Sequence, residues 1–126
     1  MDQTPLWSPS EERVAASRLA GFMADAQRQT GKAFSAFRDL HAWSVEDRAA
    51  FWALVWDYCG IVGEKGERVL ADGDRMPGAA FFPEARLNYA ENMLKKRGGA
   101  DAMVFRGEDK VERRLSWDEL SALVSR

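Results

Sequence analysis

Cysteine and histidine are nearly absent from this chain: each occurs once, as Cys59 and His41. A single cysteine excludes an internal disulfide, and one residue of each kind excludes a zinc constellation. The two stand in separate segments, so no Cys–His nucleophile couple is legible; His41 reads as packed or partly exposed, and Cys59 as a buried helix residue. A long apolar run is missing too. The richest stretch, Phe51 to Val62, is interrupted by Asp57 and falls short of the ~20 residues that cross a bilayer, so no membrane span is expected. The opening Met1-Asp2-Gln3-Thr4 lacks the basic and apolar regions of a signal peptide. Together with the lone cysteine this places the expected compartment in the cytoplasm. Neither sign of charge is in excess, with 18 basic against 20 acidic side chains and a net charge of −2, so no nucleic acid or anionic membrane partner is indicated.

Phosphate-cradling motifs are equally lacking. Neither G-x-x-x-x-G-K-[ST] nor G-x-G-x-x-G occurs, and Gly60, Gly63 and Gly66, spaced in threes, fit a flexible connection instead. Asp72-Gly73-Asp74 lacks the ligand alternation and closing glutamate of a calcium loop and reads as a surface turn. The carboxylate pairs Glu11-Glu12, Glu46-Asp47 and Asp118-Glu119 all fall at proposed helix starts, where capping and the helix dipole account for them without acid–base chemistry. No catalytic, cofactor-binding or metal-ligating residue is therefore expected in this chain.

What is present is a globular composition, 46% hydrophobic and 30% charged, with five Trp and seven Phe to build a core in 126 residues. That length holds one domain or part of one. Ser8-Pro9-Ser10-Glu11 predicts a helix over about 9–29, with Ser8 as cap, Ala15, Leu19, Phe22, Met23 and Ala26 on one face, and Gly31 as the stop. Phe34, Phe37 and Leu40 step by three and predict a short helical turn before Trp43. Ser44-Val45-Glu46-Asp47 repeats the capping logic and predicts a second helix over about 45–59. Its apolar residues occupy more than one face, so it needs partners on two sides. The aromatic set Trp43, Phe51, Trp52, Trp56 and Tyr58 reads as core packing in preference to a ligand pocket.

From Gly60 to Pro83, glycine and proline break every pattern and predict a long loop, of a length more usual on the surface of something larger. Asn88 followed by Glu91 predicts a third helix that ends at Gly98, with Lys95, Lys96 and Arg97 complementing the dipole in its last turn. Ala102–Phe105 reads as a short buried-type strand. Val111, Arg113 and Leu115 alternate in a second strand after the turn Gly107–Lys110. Ser116-Trp117-Asp118-Glu119 caps a last helix. Two strands and a stub of helix seldom hold together in water, so an apolar edge awaiting a cover is expected.

Three stretches carry a resemblance: Trp43-Ser44-Val45-Glu46-Asp47, Phe51-Trp52, and above all Phe82-Pro83-Glu84-Ala85-Arg86-Leu87-Asn88-Tyr89-Ala90-Glu91-Asn92. Together they resemble the acetoacetate-CoA ligase family of adenylate-forming acyl-CoA synthetases, and Ser116-Trp117-Asp118-Glu119-Leu120 is similar to the step with which these enzymes enter an early helix of their large domain. Phe81-Phe82 departs from the more usual Trp-Phe while keeping an aromatic. The family's phosphate loop, adenine and ribose motifs and catalytic lysine have no match here.

The resemblance implies an α+β fold: a mostly α-helical segment over 1–98, then the first strands and helix of an AMP-binding domain over 99–126, an incomplete part of a larger α/β enzyme. It implies ATP, Mg and CoA as cofactors of the whole family enzyme, none of them held by this segment, and the remainder of the AMP-binding domain as intramolecular partner. Lys95, Lys96, Arg97, Arg113 and Arg114 could touch the phosphates of CoA if they lie near one edge, against the plainer reading of a solvated face. The rival readings are a standalone helical binding or oligomerisation module, self-associating through its exposed apolar edge, and the amino-terminal segment of an acetate- or propionate-CoA ligase.

Overall fold

The computed structural model describes residues 6–125, so the Met1–Thr4 start considered above lies outside the described residues. The fold is mostly helical with two small antiparallel hairpins. Contacts divide it into a helical unit, residues up to 61 together with 65–84, and a hairpin unit, residues 62–64 together with 85 onward.

The helical unit opens with α1 (Glu11–Ala15) and α2 (Arg18–Thr30), two helices where the spacing predicts one. The break lies at Ser17, whose hydroxyl accepts the amide of Ala20 at 3.1 Å and so starts a new helix. Ser10, not Ser8, caps the first, accepting from Arg13 N–H at 3.3 Å. Gly31 ends α2 in the left-handed conformation, as expected. The Gln27 side chain then takes the Phe34 amide at 2.9 Å and turns the chain into α3 (Phe37–Glu46).

Here too the helix boundaries move. The expected short turn is the start of the three-turn α3, and the expected helix start at Ser44 is instead its last turn, with the Ser44 hydroxyl donating back to the His41 carbonyl at 2.7 Å. Asp47, with φ −126° and ψ 69°, leaves helical geometry and caps α4 (Arg48–Tyr58) through the Ala50 amide at 3.1 Å. Both misplacements have one cause: a Ser and an acid three or four residues apart fit a cap at several registers, and local hydrogen bonding chooses among them.

The core lies among α2, α3 and α4: Phe22, Ala26, Phe34, Leu40, Trp43 and Leu54 are buried, with Met23, Ala50, Phe51 and Val55 packed against them. Edge-to-face contacts at 5.1–5.8 Å join Tyr58, Phe22, Phe51 and Trp43 in one chain of rings. This favours core packing for the aromatic set, and burial of each large side chain contributes roughly 1.5–3 kcal/mol. Cys59 departs from expectation. It follows the last residue of α4 and is exposed.

The expected loop from 60 to 83 contains a two-residue ladder, β1 (Leu70–Ala71) against β2 (Ala80–Phe81). Arg48 reaches from α4 to clamp the connection between them, donating to the Gly73 carbonyl at 2.5 Å and to Asp74 at 2.6 Å. Lys65 is likewise tied to Asp57 at 2.7 Å.

In the hairpin unit, Asn88 caps the five-residue α5 (Tyr89–Met93), then β3 (Asp101–Arg106) pairs antiparallel with β4 (Glu112–Ser116), leading into α6 (Trp117–Val124). The register sets Met103 opposite Leu115 and Phe105 opposite Arg113, with an irregularity between Asp101 and Met103. Ser116 and Glu119 complete the capping box that the sequence predicts. Two expectations fail. α5 stops at Met93, so Lys95, Lys96 and Arg97 lie beyond the helix and not in its last turn, with Arg97 reaching back to the carbonyl of the C-cap residue Leu94. β3 is not a buried strand, because Met103, Val104 and Phe105 all face solvent.

Candidate functional site

The segment from Phe82 to Asn92 is the most motif-like part of the sequence, and Phe82, Glu84, Arg86 and Asn92 in it act as staples on the 60–69 stretch. Within the helical unit, Phe82 adopts φ 48°, donates its amide to the Val69 carbonyl at 2.7 Å, and packs its ring against that of Trp56 with centroids 4.9 Å apart and planes tilted by 46°. Glu84 accepts the amides of Glu67 at 3.1 Å and Arg68 at 3.4 Å and pairs with the Arg68 guanidinium at 3.0 Å. The Glu67 amide, then the Arg68 amide, hold the Glu84 carboxyl below its ordinary value of 4.5. Gly66 at φ 78° lets the chain pass, since a Cβ there would stand 2.7 Å from that of Glu84.

Within the hairpin unit the same motif continues. Arg86 and Glu64 exchange backbone hydrogen bonds at 2.8 and 2.9 Å. Next to them, Gly63 sits at φ 154°, where a Cβ would come within 2.7 Å of the Arg86 carbonyl and the Leu87 Cβ. Asn88 accepts the Glu91 amide at 3.2 Å. The Asn92 amide imitates a strand: its Oδ1 accepts from Val62 N–H at 2.9 Å, and its Nδ2 donates to the Val62 carbonyl at 2.8 Å. Motif side chains engaged in holding backbone do architectural work, and no nucleophile or paired acid–base couple emerges among them.

The basic residues considered for phosphate contact are not brought together as one cluster. Arg114 is engaged by Glu112 and Asp101, which raise its pKa in that order, and Arg97 donates to the carbonyls of Leu94 and Lys96. Lys96 lies 5.4 Å from the centre of the Trp117 ring, a cation–π contact. Arg113 and Arg114, adjacent in β4, point to opposite faces of the hairpin. The sequence alternation already carried that signal. His41 is exposed, 6.2 Å from the Phe37 ring. Among the described residues no three His, Cys, Asp or Glu side chains converge to hold a metal, and no helix is long and apolar enough to cross a membrane.

What the structure does present is bare apolar surface. In the helical unit a groove of about 380 Å³ runs over Leu19, Phe22, Phe37, Leu40, Phe51 and Val55. In the hairpin unit Met103, Phe105, Val111 and Leu115 line another of about 390 Å³. Two indole N–H groups, of Trp43 and Trp117, are buried without an acceptor among the described residues. Such groups typically cost about 1–3 kcal/mol each.

Comparison with known proteins agrees with this architecture. Residues 37–93 match the family described as acetyl-coenzyme A synthetase N-terminus. The chain is 54% identical over 124 residues to acetoacetyl-coenzyme A synthetase of Rhizobium meliloti (strain 1021), covering 98% of this chain and 19% of that protein. It is 35% identical over 91 residues to malonamoyl-CoA synthetase of Penicillium aethiopicum, 71% of this chain and 12% of that protein. Among solved structures, acetoacetyl-CoA synthetase from Streptomyces lividans superposes with a TM-score of 0.80 at 35% identity, over 93% of this chain and 19% of that one. The chain thus spans about a fifth of the length of these acetoacetyl-CoA synthetases.

Proposed function

We propose, on the premise that this chain is the counterpart of the amino-terminal segment of acetoacetyl-CoA synthetases, that it supports an acyl-CoA ligase without itself performing any chemical step. The whole enzyme would activate acetoacetate with ATP and Mg to an acyl-adenylate, releasing pyrophosphate, and then pass the acyl group to CoA in the cytoplasm, as part of lipid metabolism. In this reading residues 1–98 are the helical amino-terminal segment and 99–126 open the AMP-binding domain, whose remainder is the intramolecular partner.

The observation that carries the reading is the match over 98% of the chain, which takes in the Phe82–Asn92 staples. The bare apolar surface supports it as well, because a segment built to lie against a larger body keeps unburied the side chains that the body will cover. Acyl choice is set outside this segment, which is consistent with 35% identity to a relative named for malonamoyl-CoA.

The test is acetoacetate-dependent exchange between ATP and pyrophosphate. The purified 126-residue chain is expected to show none, and robust exchange would overturn the proposal. The mass of the native protein in its source cells, read with an antibody against this segment, separates the rival. A product several times 14.2 kDa supports the ligase reading, whereas one of 14.2 kDa favours a standalone binding module.

A further inference from the structure

The groove of the helical unit combines an apolar lining with one unpaired charge. Its floor is the buried pair Phe22 and Leu40, and its walls are Leu19, Phe37 and Tyr58, which are 43%, 59% and 42% exposed. Its volume of about 380 Å³ falls in the roughly 300–1,000 Å³ range of small-molecule sites. Arg18 is the one charged residue of the lining. Elsewhere in this unit Arg28, Arg48 and Arg68 are paired with Asp25, Asp74 and Glu84. The Arg18 guanidinium has neither an ion pair nor a hydrogen bond among the described residues. Its carbonyl alone is used, accepting the Tyr58 hydroxyl at 3.2 Å, which joins the start of α2 to the end of α4 with Cys59 next along the chain.

We propose that this groove binds a straight-chain fatty acid, with the hydrocarbon over Leu19, Phe22 and Leu40 and the carboxylate on Arg18. The inference stands apart from the ligase reading, because it concerns binding and assigns no chemical step. Three features select that occupant. A lone unpaired cation beside apolar side chains complements a single negative charge carried on a hydrocarbon body. A phosphate group, with nearly two negative charges, calls for more than the one cation present. A peptide would bring amides and carbonyls that need partners, and the lining side chains offer only Arg18, the Cys59 thiol and a hydroxyl already engaged. A hydrocarbon chain needs none.

Cys59 lines the groove and is the one thiol of the chain, so its alkylation by N-ethylmaleimide reads occupancy without recourse to activity. Decanoate, kept below the concentration at which it forms micelles, is expected to slow that alkylation at least about fivefold once the site is mostly filled. The concentration for half-protection should rise about two- to fourfold for each methylene removed on going to octanoate and hexanoate. Arg18→Gln should raise it about tenfold, and decanol should protect the wild type about tenfold less well than decanoate, since each removes the charge-assisted hydrogen bond. Arg28→Gln, on the same helix but outside the groove lining, should leave it unchanged. Amide spectra of α2 to α4 check that both variants fold. No protection by decanoate, equal protection by decanol, or an equal shift in the two variants would each overturn the proposal. So would protection that grows with protein concentration in the absence of ligand, which marks a second copy of the chain as the occupant.

Discussion

The helical unit and the hairpin unit are built from similar proportions of apolar residues, yet the six side chains buried among the described residues all belong to the first: Phe22, Ala26, Phe34, Leu40, Trp43 and Leu54. Among the described residues of the second none is buried. The difference lies in how many layers each unit contains. Three helices enclose a space between them, so a side chain on α4 is covered from α2 and α3 at once. A two-stranded hairpin with one helix beside it has a single partly covered face and cannot close around anything. Apolar composition therefore does not measure core. Coverage does, and the hairpin unit lacks a cover within the described residues.

The sharpest way to break this comparison is to delete a side chain from each unit. Leu54→Ala is expected to destabilise the helical unit by about 2–5 kcal/mol, whereas Met103→Ala should change stability by no more than about 0.5 kcal/mol, both read from urea unfolding followed by residue-resolved amide signals. A comparable loss at Met103 would mean that the hairpin face is already covered in the isolated chain.

Gly63→Ala tests whether the staple in the hairpin unit acts locally. The forbidden φ of 154° and the 2.7 Å approach to Arg86 and Leu87 predict a loss of about 1–3 kcal/mol. It should appear as faster hydrogen exchange at Glu64 and Arg86 while the helix amides of α2 to α4 hold their protection. Spread of the change into those helices would show that the two units unfold as one.

The smallest effect is on acid stability. Glu84 in one unit and Glu119 in the other are both held below 4.5, Glu84 by the amides of Glu67 and Arg68 and Glu119 by the amide and hydroxyl of Ser116. A folded-state value below the unfolded one stabilises the fold above about pH 4.5, and this contribution is lost as pH falls through the folded value. Glu84→Gln and Glu119→Gln should each flatten the decline of melting temperature below pH 4.5. The change should be small because both carboxylates are exposed, and each should act on its own unit's amides.

Most of the fold was legible in the sequence because its elements are announced by local chemistry. Ser116 and Glu119 cap α6 as a box, Gly31 stops α2, and Asn88 caps α5. The boundaries that moved did so where local signals compete. Ser8 and Ser10 both precede a helical run, and Ser44 and Asp47 both precede α4, so the sequence names two caps and the backbone uses one. Cys59 read as buried because it continues an apolar helix, but it stands just past the end of α4 and is exposed. The family resemblance rested above all on Phe82–Asn92, beside Trp43–Asp47 and Phe51-Trp52, and what the Phe82–Asn92 residues do was invisible in the string. Glu84 reaches residues 16 and 17 earlier, and Asn92 reaches one 30 earlier.

The sequence by itself determined most helix starts and stops, the alternation along β4, and the resemblance to acetoacetyl-CoA synthetases. Capping, alternation and residue count act over a few positions, and a short motif is enough to carry a resemblance. Tertiary structure alone decided which apolar residues are core and which form an open face. It also decided that the motif is a set of staples. Burial and pairing are set by atoms far apart along the chain, and only folding fixes their distances.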